Sequence, residues 1–252
     1  MKNTGILRIQ AFGARQSSPI EGVLVTVSGN GFTAQRITDE TGTAADLSIE
    51  APSCALSLQE DNTIRPYAVV DLTAAKTGFR TVRIQGVQIF AGQVTLAQPE
   101  MIPETEEDRD VVNPPIVIPE HSLFTGDGGS GPDPIENCMP RVLSRVIIPK
   151  NITVHLGKPA ASARNVTVSF RDYIANVASS EVYPTWPEQA LRANIHCQIS
   201  LALNRIYTEW YPSKGYTFNI TNSTSYDQYY VHGRTVFDVM VRITDDIFNT
   251  YL

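Results

Sequence analysis

Cysteine is scarce in this chain: the 252 residues hold three, Cys54, Cys138 and Cys197, with no CxxC pair among them. So odd and scattered a set excludes a disulfide framework and a cysteine zinc site, and it reads as free thiols in a reducing compartment. Long apolar runs are lacking as well. No stretch reaches the roughly 18 to 20 residues that a membrane span needs. Met1 to Gly5 lead directly into an alternating pattern, without the apolar segment of a signal peptide. The expectation is no membrane span and no classical secretion of this form. Four N-x-[ST] sequons, at Asn151, Asn165, Asn219 and Asn222, accordingly read as polar turn and strand residues. Charge is modest, at 18 % of residues with a net −6, and no nucleic-acid partner is expected. What remains, 42 % hydrophobic, is enough to bury a core in one or two domains.

Charge is distributed unevenly along the chain. Residues 1–98 are neutral overall, 99–140 carry −9 and 141–252 carry +3. The middle stretch also holds half of the sixteen prolines, the acidic run from Glu104 to Asp108 and the glycine-rich tract from Gly126 to Gly131. Such a composition cannot bury enough apolar surface to offset the entropy of ordering, so 99–140 reads as an acidic Pro/Gly-rich linker. Within it the short apolar patch Ile116-Val117-Ile118 could dock on a neighbour.

Before the linker the signal has period two. Residues 6–12, 23–27, 68–74 and 81–84 alternate as strands do, between clusters such as Ser28-Gly29-Asn30-Gly31, and no long helix is predicted. About seven short strands in the first ~100 residues suggest an antiparallel β-sandwich. Three stretches carry a resemblance: Pro19-Ile20-Glu21-Gly22-Val23-Leu24-Val25-Thr26-Val27, Thr38-Asp39-Glu40-Thr41-Gly42-Thr43 and Ala75-Lys76-Thr77-Gly78-Phe79. They resemble the transthyretin-like, or carboxypeptidase-regulatory-like, sandwich, an accessory fold that by itself says nothing of catalysis.

After the linker the period becomes 3.6. Phe170, Tyr173, Ile174, Val177 and Ala178 form an apolar stripe, with Ser169 and Asp172 placed as a capping pair, and a helix of about ten residues is expected. Pro187 suits the first turn of a second helix whose buried face is Leu191, Ile195, Ile199, Ala202, Leu203 and Ile206. A third stripe comprises Val236, Met240, Ile243 and Ile247, while 147–148, 152–156 and 166–168 read as strands. The overall class is α+β, with a mixed α/β domain over 141–252.

Between the first two helices lies Ser180-Glu181-Val182-Tyr183-Pro184-Thr185-Trp186-Pro187. A carboxylate at a helix end before a tight aromatic and proline turn can be held beside an apolar wall, where desolvation fits it for proton transfer near neutral pH. The same residues also suit a helix-ending glutamate in solvent with Trp186 as a core anchor. On Glu181, Trp186, Pro187, Ala190, Leu191, Arg192 and Ala193 the stretch resembles the signature E-M-P-x-x-W-P-x-E-A-L-[KR]-A-Q-A of the stage II sporulation protein D family. Proline comes one place late, at Pro184, and the second acid one place early, at Glu188. Asn222 to Tyr230 is similar to that family's D-T-x-x-Q-x-Y stretch, on Thr224, Gln228 and Tyr230. Those three suit sugar binding, or equally turn polarity and a core tyrosine. Where some members place Cys and His metal ligands this chain has Tyr226 and Asp227, so no metal and no other cofactor is expected.

The arrangement of sandwich, acidic linker and C-terminal domain resembles the spore cortex-lytic enzymes of clostridial germination. That resemblance implies a lytic transglycosylase with Glu181 as its lone catalytic acid/base. Substrate-binding residues would be Tyr183, Trp186, Thr224, Gln228 and Tyr230, and the partners peptidoglycan glycan strands and an activating protease. The location would be the spore, with the N-terminal region as a pro-region. Asp227 and Glu188 stand as candidates for a second acid should the reaction be hydrolysis, which ordinarily takes a pair. A competing expectation is a glycan-binding or structural protein with a degenerate domain. His196, Cys197 and Ser200 sit near one another on the second helix but lack an orienting group, and read as a buried thiol beside a satisfied histidine. His155 and His232 lack ligand spacing.

Overall fold

The computed structural model describes residues 3–13, 18–59, 62–105, 113–125 and 143–251. The acidic run at 106–108, the glycine tract at 126–131 and Cys138 lie outside them. In chain order the strands are β1 (Thr4–Gln10), β2 (Phe12–Gly13), β3 (Leu24–Gly29), β4 (Phe32–Ile37), β5 (Thr43–Glu50), β6 (Ala68–Ala75), β7 (Val82–Ile89), β8 (Val94–Ala97), β9 (Glu100–Met101), β10 (Ile116–Val117), β11 (Asn151–His155), β12 (Asn165–Ser169), β13 (Ile220–Thr221) and β14 (Val236–Phe237). The helices are α1 (Ser122–Thr125), α2 (Phe170–Glu181), α3 (Glu188–Tyr207) and α4 (Asp238–Ile247). Two compact units result: 1–120 with 233–239, and 121–232 with 240–252.

The first unit follows from alternation. One sheet has the order β14-β8-β1-β5, the other β10-β7-β6-β3-β4. Leu7 and Ile9 of β1 with Leu47 and Ile49 of β5 meet Val25 and Val27 of β3, Val70 and Leu72 of β6 and Ile84 and Ile89 of β7 in one buried cluster. Every second side chain therefore leaves water, and the unit is a β-sandwich. It is not wholly antiparallel as expected, because β8 runs parallel to β1 and β10 parallel to β7. The Thr-Asp-x-x-Gly stretch earns its pattern by bonding. Asp39 Oδ1 accepts from the backbone N–H of Thr41 (2.9 Å) and Thr43 (3.0 Å) and from the Thr41 hydroxyl (2.7 Å). These donors hold the Asp39 carboxyl below its ordinary range. Gly42 closes the turn at φ 73°, where an added Cβ would lie 2.4 Å from the Ala11 carbonyl oxygen.

Part of the stretch expected to be linker belongs to this unit. β9 pairs with β2, β10 pairs with β7, and Ile118 joins the core. The approach is close because β7 carries Gly86, at which a Cβ would stand 2.2 Å from the Ile118 carbonyl oxygen. Burial of Ile116 and Ile118 against the sheet outweighs the acidic composition around them.

In the second unit β11 lies between antiparallel β12 and parallel β13. The Ser169 hydroxyl accepts from the Asp172 N–H at 3.0 Å, which starts α2. Phe170, Tyr173, Ile174 and Val177 turn inward from it, and Leu191, Ile195 and Ile199 from α3. α2 packs on both α3 and β11. Two expectations are corrected here. Ile147 and Ile148 form no strand. Val236 lies in β14, paired with Leu96, so the third stripe becomes helical only from Asp238.

Candidate active site

Glu181 is the last residue of α2, and its chain leaves the helix at once: Val182 is extended, with φ −131° and ψ 149°. The carboxyl is thereby fixed at the helix end, half-buried, and both oxygens are held. Oε2 accepts from Gln198 Nε2 at 2.7 Å, and Oε1 from the backbone N–H of Tyr229 at 2.9 Å. Burial pushes its pKa up, and the Tyr229 and Gln198 bonds pull the other way. Burial prevails, so the group favours its proton more than a surface glutamate does.

The chain from 227 to 231 is strapped across α2 and α3. The Tyr173 hydroxyl donates to Gln228 Oε1 (3.0 Å), and Gln228 Nε2 donates to the Gln198 carbonyl (3.1 Å). Asn176 clamps Val231 twice: its Nδ2 donates to the Val231 carbonyl (2.8 Å) and its Oδ1 accepts from the Val231 N–H (3.0 Å). Tyr230 stacks on Tyr173 with centroids 5.5 Å apart. Below the strap, Asp227 is an anchor. Its side chain is fully buried and accepts from Arg205 Nε (2.7 Å), the Tyr211 hydroxyl (2.6 Å), and the N–H (2.9 Å) and hydroxyl (2.7 Å) of Thr221.

Of the residues expected from sequence, Glu181 and Gln228 both bond Gln198, and Gln228 and Tyr230 both meet Tyr173. Gln228 and Tyr230 are 4 % and 3 % exposed, and the Gln228 amide is spent on internal bonds. Their visible part is to hold the strap rather than to face solvent. Tyr183 and Trp186 meet edge to face at 6.4 Å in the turn after Glu181, with Tyr183 also against His121 at 4.5 Å. Trp186 is half-buried, and Thr224 is exposed in the turn before Asp227. No hydrogen bond or ring contact ties Thr224 to Glu181 among the described residues. Asp227 is engaged by four hydrogen bonds from three residues, which leaves it unsuited as a second acid. Glu188 pairs instead with Arg192 at 3.0 Å on the helix surface. Cys197 is exposed, not buried as expected, because it follows the inward Ile195 by two positions on α3. The Ser200 hydroxyl bonds the His196 carbonyl.

Gln198, Asn176 and Tyr229 were missed. Gln198 and Asn176 had a signal: each is a polar residue within or beside an apolar stripe, where an unpaired amide would be costly. Tyr229 acts through its backbone N–H, which no side-chain pattern marks. Among the described residues no group of three His, Cys, Asp or Glu could hold a metal, and no helix is long and apolar enough to cross a membrane.

Glu181 of the second unit is thus a half-buried carboxyl held by two neutral donors. No family model matches the chain, and no curated protein matches it either. Solved structures similar to it include the Bacillus anthracis TIE protein, at 13 % identity and a TM-score of 0.29, over 40 % of this chain and 17 % of that one. Klebsiella pneumoniae 5-hydroxyisourate hydrolase shares 22 % identity at a TM-score of 0.27, over 40 % of this chain and 92 % of that one. Catechol 1,2-dioxygenase from an Acinetobacter species shares 15 % at 0.30, over 46 % and 59 %.

Proposed function

We propose that the second unit is a peptidoglycan lytic transglycosylase in which Glu181 is the lone acid/base, and that its setting is spore cortex degradation during germination. The observation that carries the reading is the Glu181 carboxyl: half-buried, fixed by Gln198 and Tyr229, and shifted by burial toward its protonated form. Protonated, it gives its proton to the oxygen between N-acetylmuramic acid and N-acetylglucosamine as the C1–O bond breaks. As carboxylate it then takes the proton of the muramyl C6 hydroxyl while that oxygen bonds C1, leaving a 1,6-anhydro end. One group serves both steps, in keeping with Asp227 and Glu188 being engaged elsewhere. The likeness of Glu181 and Trp186 to Ala193 to the sporulation protein D signature supports the same assignment. Trp186 and Thr224 supply the sugar-facing surface in this reading, with Tyr183, 7 % exposed, packed edge to face behind Trp186, and an activating protease acts on the intact chain.

The test is mass spectrometry of purified cortex peptidoglycan after incubation with the wild type, intact and nicked within 126–142, and with Glu181→Gln. Anhydro-muropeptides from wild type, reduced at least about 1000-fold by the substitution, are expected, as for loss of a group essential to the chemistry. Reducing-end products instead would mean hydrolysis, and no release from either wild-type form would point to glycan binding without cleavage.

A further inference from the structure

A group that is acid in one step and base in the next must be supported in both protonation states. The two partners of Glu181 differ in what they can offer. The Tyr229 N–H donates to Oε1, which accepts both as a carboxylate oxygen and as the carbonyl oxygen of an acid protonated on Oε2. An amide can donate or accept. Gln198 Nε2 donates to Glu181 Oε2 at 2.7 Å, and the other end of the same amide, Oε1, is buried with no hydrogen-bond partner among the described residues. Gln198 is 3 % exposed, so the cost of that orphan acceptor is not relieved by bulk water. Once the carboxyl carries a proton on Oε2, donor would face donor, while the unused acceptor lies on the far side of the same amide.

We infer that Gln198 is a reversible positioning residue: its amide donates to Glu181 as carboxylate, and turns over to accept the proton of Glu181 as acid. The idea rests on Glu181 being the acid/base of the reaction. The proton stays on Glu181 throughout; only the amide rotates, and it turns back when a glycosidic oxygen takes the proton. Gln198 is suited to this because its backbone is fixed in α3 and its own carbonyl is tied to Gln228 Nε2 at 3.1 Å, so that rotation is confined to the end of the side chain.

Other groups around the carboxyl are accounted for. From α2 comes the Tyr173 phenol, and from the strap the Tyr230 phenol, bonded to His232, and Asp227, paired with Arg205. Burial raises both phenols well above their ordinary value, so they keep their protons across the range of interest. Asp172 reaches Tyr230 by charge, from the first turn of α2.

The experiment is a pH titration of the intact protein by NMR, following the Glu181 side-chain carboxyl carbon and the Gln198 side-chain amide together, without substrate. The Gln198 amide protons are expected to lie downfield at high pH and to move upfield through the same midpoint as the Glu181 carboxyl, as they leave the carboxylate. In Gln198→Met, whose folding is checked by its backbone amide spectrum, the Glu181 midpoint is expected to rise, since the lost bond favoured the charged form. Gln198 resonances that stay fixed while Glu181 titrates would overturn the inference. Because no turnover is measured, a wild type that titrates in this way yet releases no anhydro-muropeptides refutes the activity alone. A wild type that cleaves cortex with a fixed amide refutes only the reversal.

Discussion

Glu181 is subject to two opposed influences, burial and its two donors, and the balance has a consequence for stability as well as chemistry. Its folded pKa lies above the unfolded one, so between those values the folded state binds more protons. The favourable contribution is complete below the ordinary glutamate value of about 4.3 and is lost as pH rises through the folded pKa. Replacing Glu181 by glutamine removes this dependence. The melting temperature of Glu181→Gln relative to wild type is therefore expected to increase between about pH 4 and pH 8. A difference that shrinks with rising pH would mean that the donors, not burial, dominate. The exposed Cys197 is adjacent to Gln198 and points away from it on α3, so alkylation of the native protein should label Cys197 and leave the Glu181 titration in place.

At the scale of elements, the site depends on a strap held by side chains rather than by a sheet. Asn176 supplies both bonds that satisfy the Val231 backbone, and Asn176→Leu leaves that N–H and C=O unpaired. At about 1–3 kcal/mol for each buried group left unmade, a loss of roughly 2–4 kcal/mol in chemical denaturation is expected. Asp227→Asn strands Arg205 in a mostly buried position and is expected to cost about 3–5 kcal/mol, as when a buried ion pair loses one member. A cost below about 1 kcal/mol for either would show that the strap does not rely on these bonds. The same elements show what sequence conveys. Period-two and period-3.6 signals marked β1, β3, β6, α2 and α3, because burial of alternate or helical faces leaves its trace residue by residue. The helix end placed Glu181. The strap was not legible: Asn176 bonds a backbone carbonyl 55 residues away and Gln228 one 30 residues away, and Tyr229 contributes only its N–H. The docking of the patch Ile116-Val117-Ile118 was legible, but the parallel direction of β8 and β10 was not, since pairing direction is set by where the chain returns and not by its local pattern.

For the molecule as a whole, the path of the chain bears on what proteolysis can do. Residues 233–239 come from beyond the strap yet belong to the sandwich unit, where β14 pairs antiparallel with β8. Phe237 is fully buried and meets Phe90 edge to face at 5.3 Å, and Arg234 is buried with Nε bonded to the Thr235 carbonyl at 2.9 Å. The sandwich is thus completed by a segment that lies C-terminal to residues 126–142. A cut within 126–142 leaves residues 1–125 on one fragment and β14 on the other, so the sandwich itself joins them. After such a cut the two fragments are expected to co-elute in size-exclusion chromatography under native conditions and to separate only in denaturant. Phe237→Ala removes the main buried side chain of β14, at about 3–5 kcal/mol for a truncated core phenylalanine. Nicked Phe237→Ala should therefore release its fragments at a lower denaturant concentration than nicked wild type. If nicked wild type fell apart spontaneously, β14 would not be the fastening, and activation by shedding a pro-region would become open to the protein. If the fragments stay together, activation by a protease has to act through loosening of the chain at the cut and not through departure of the N-terminal unit.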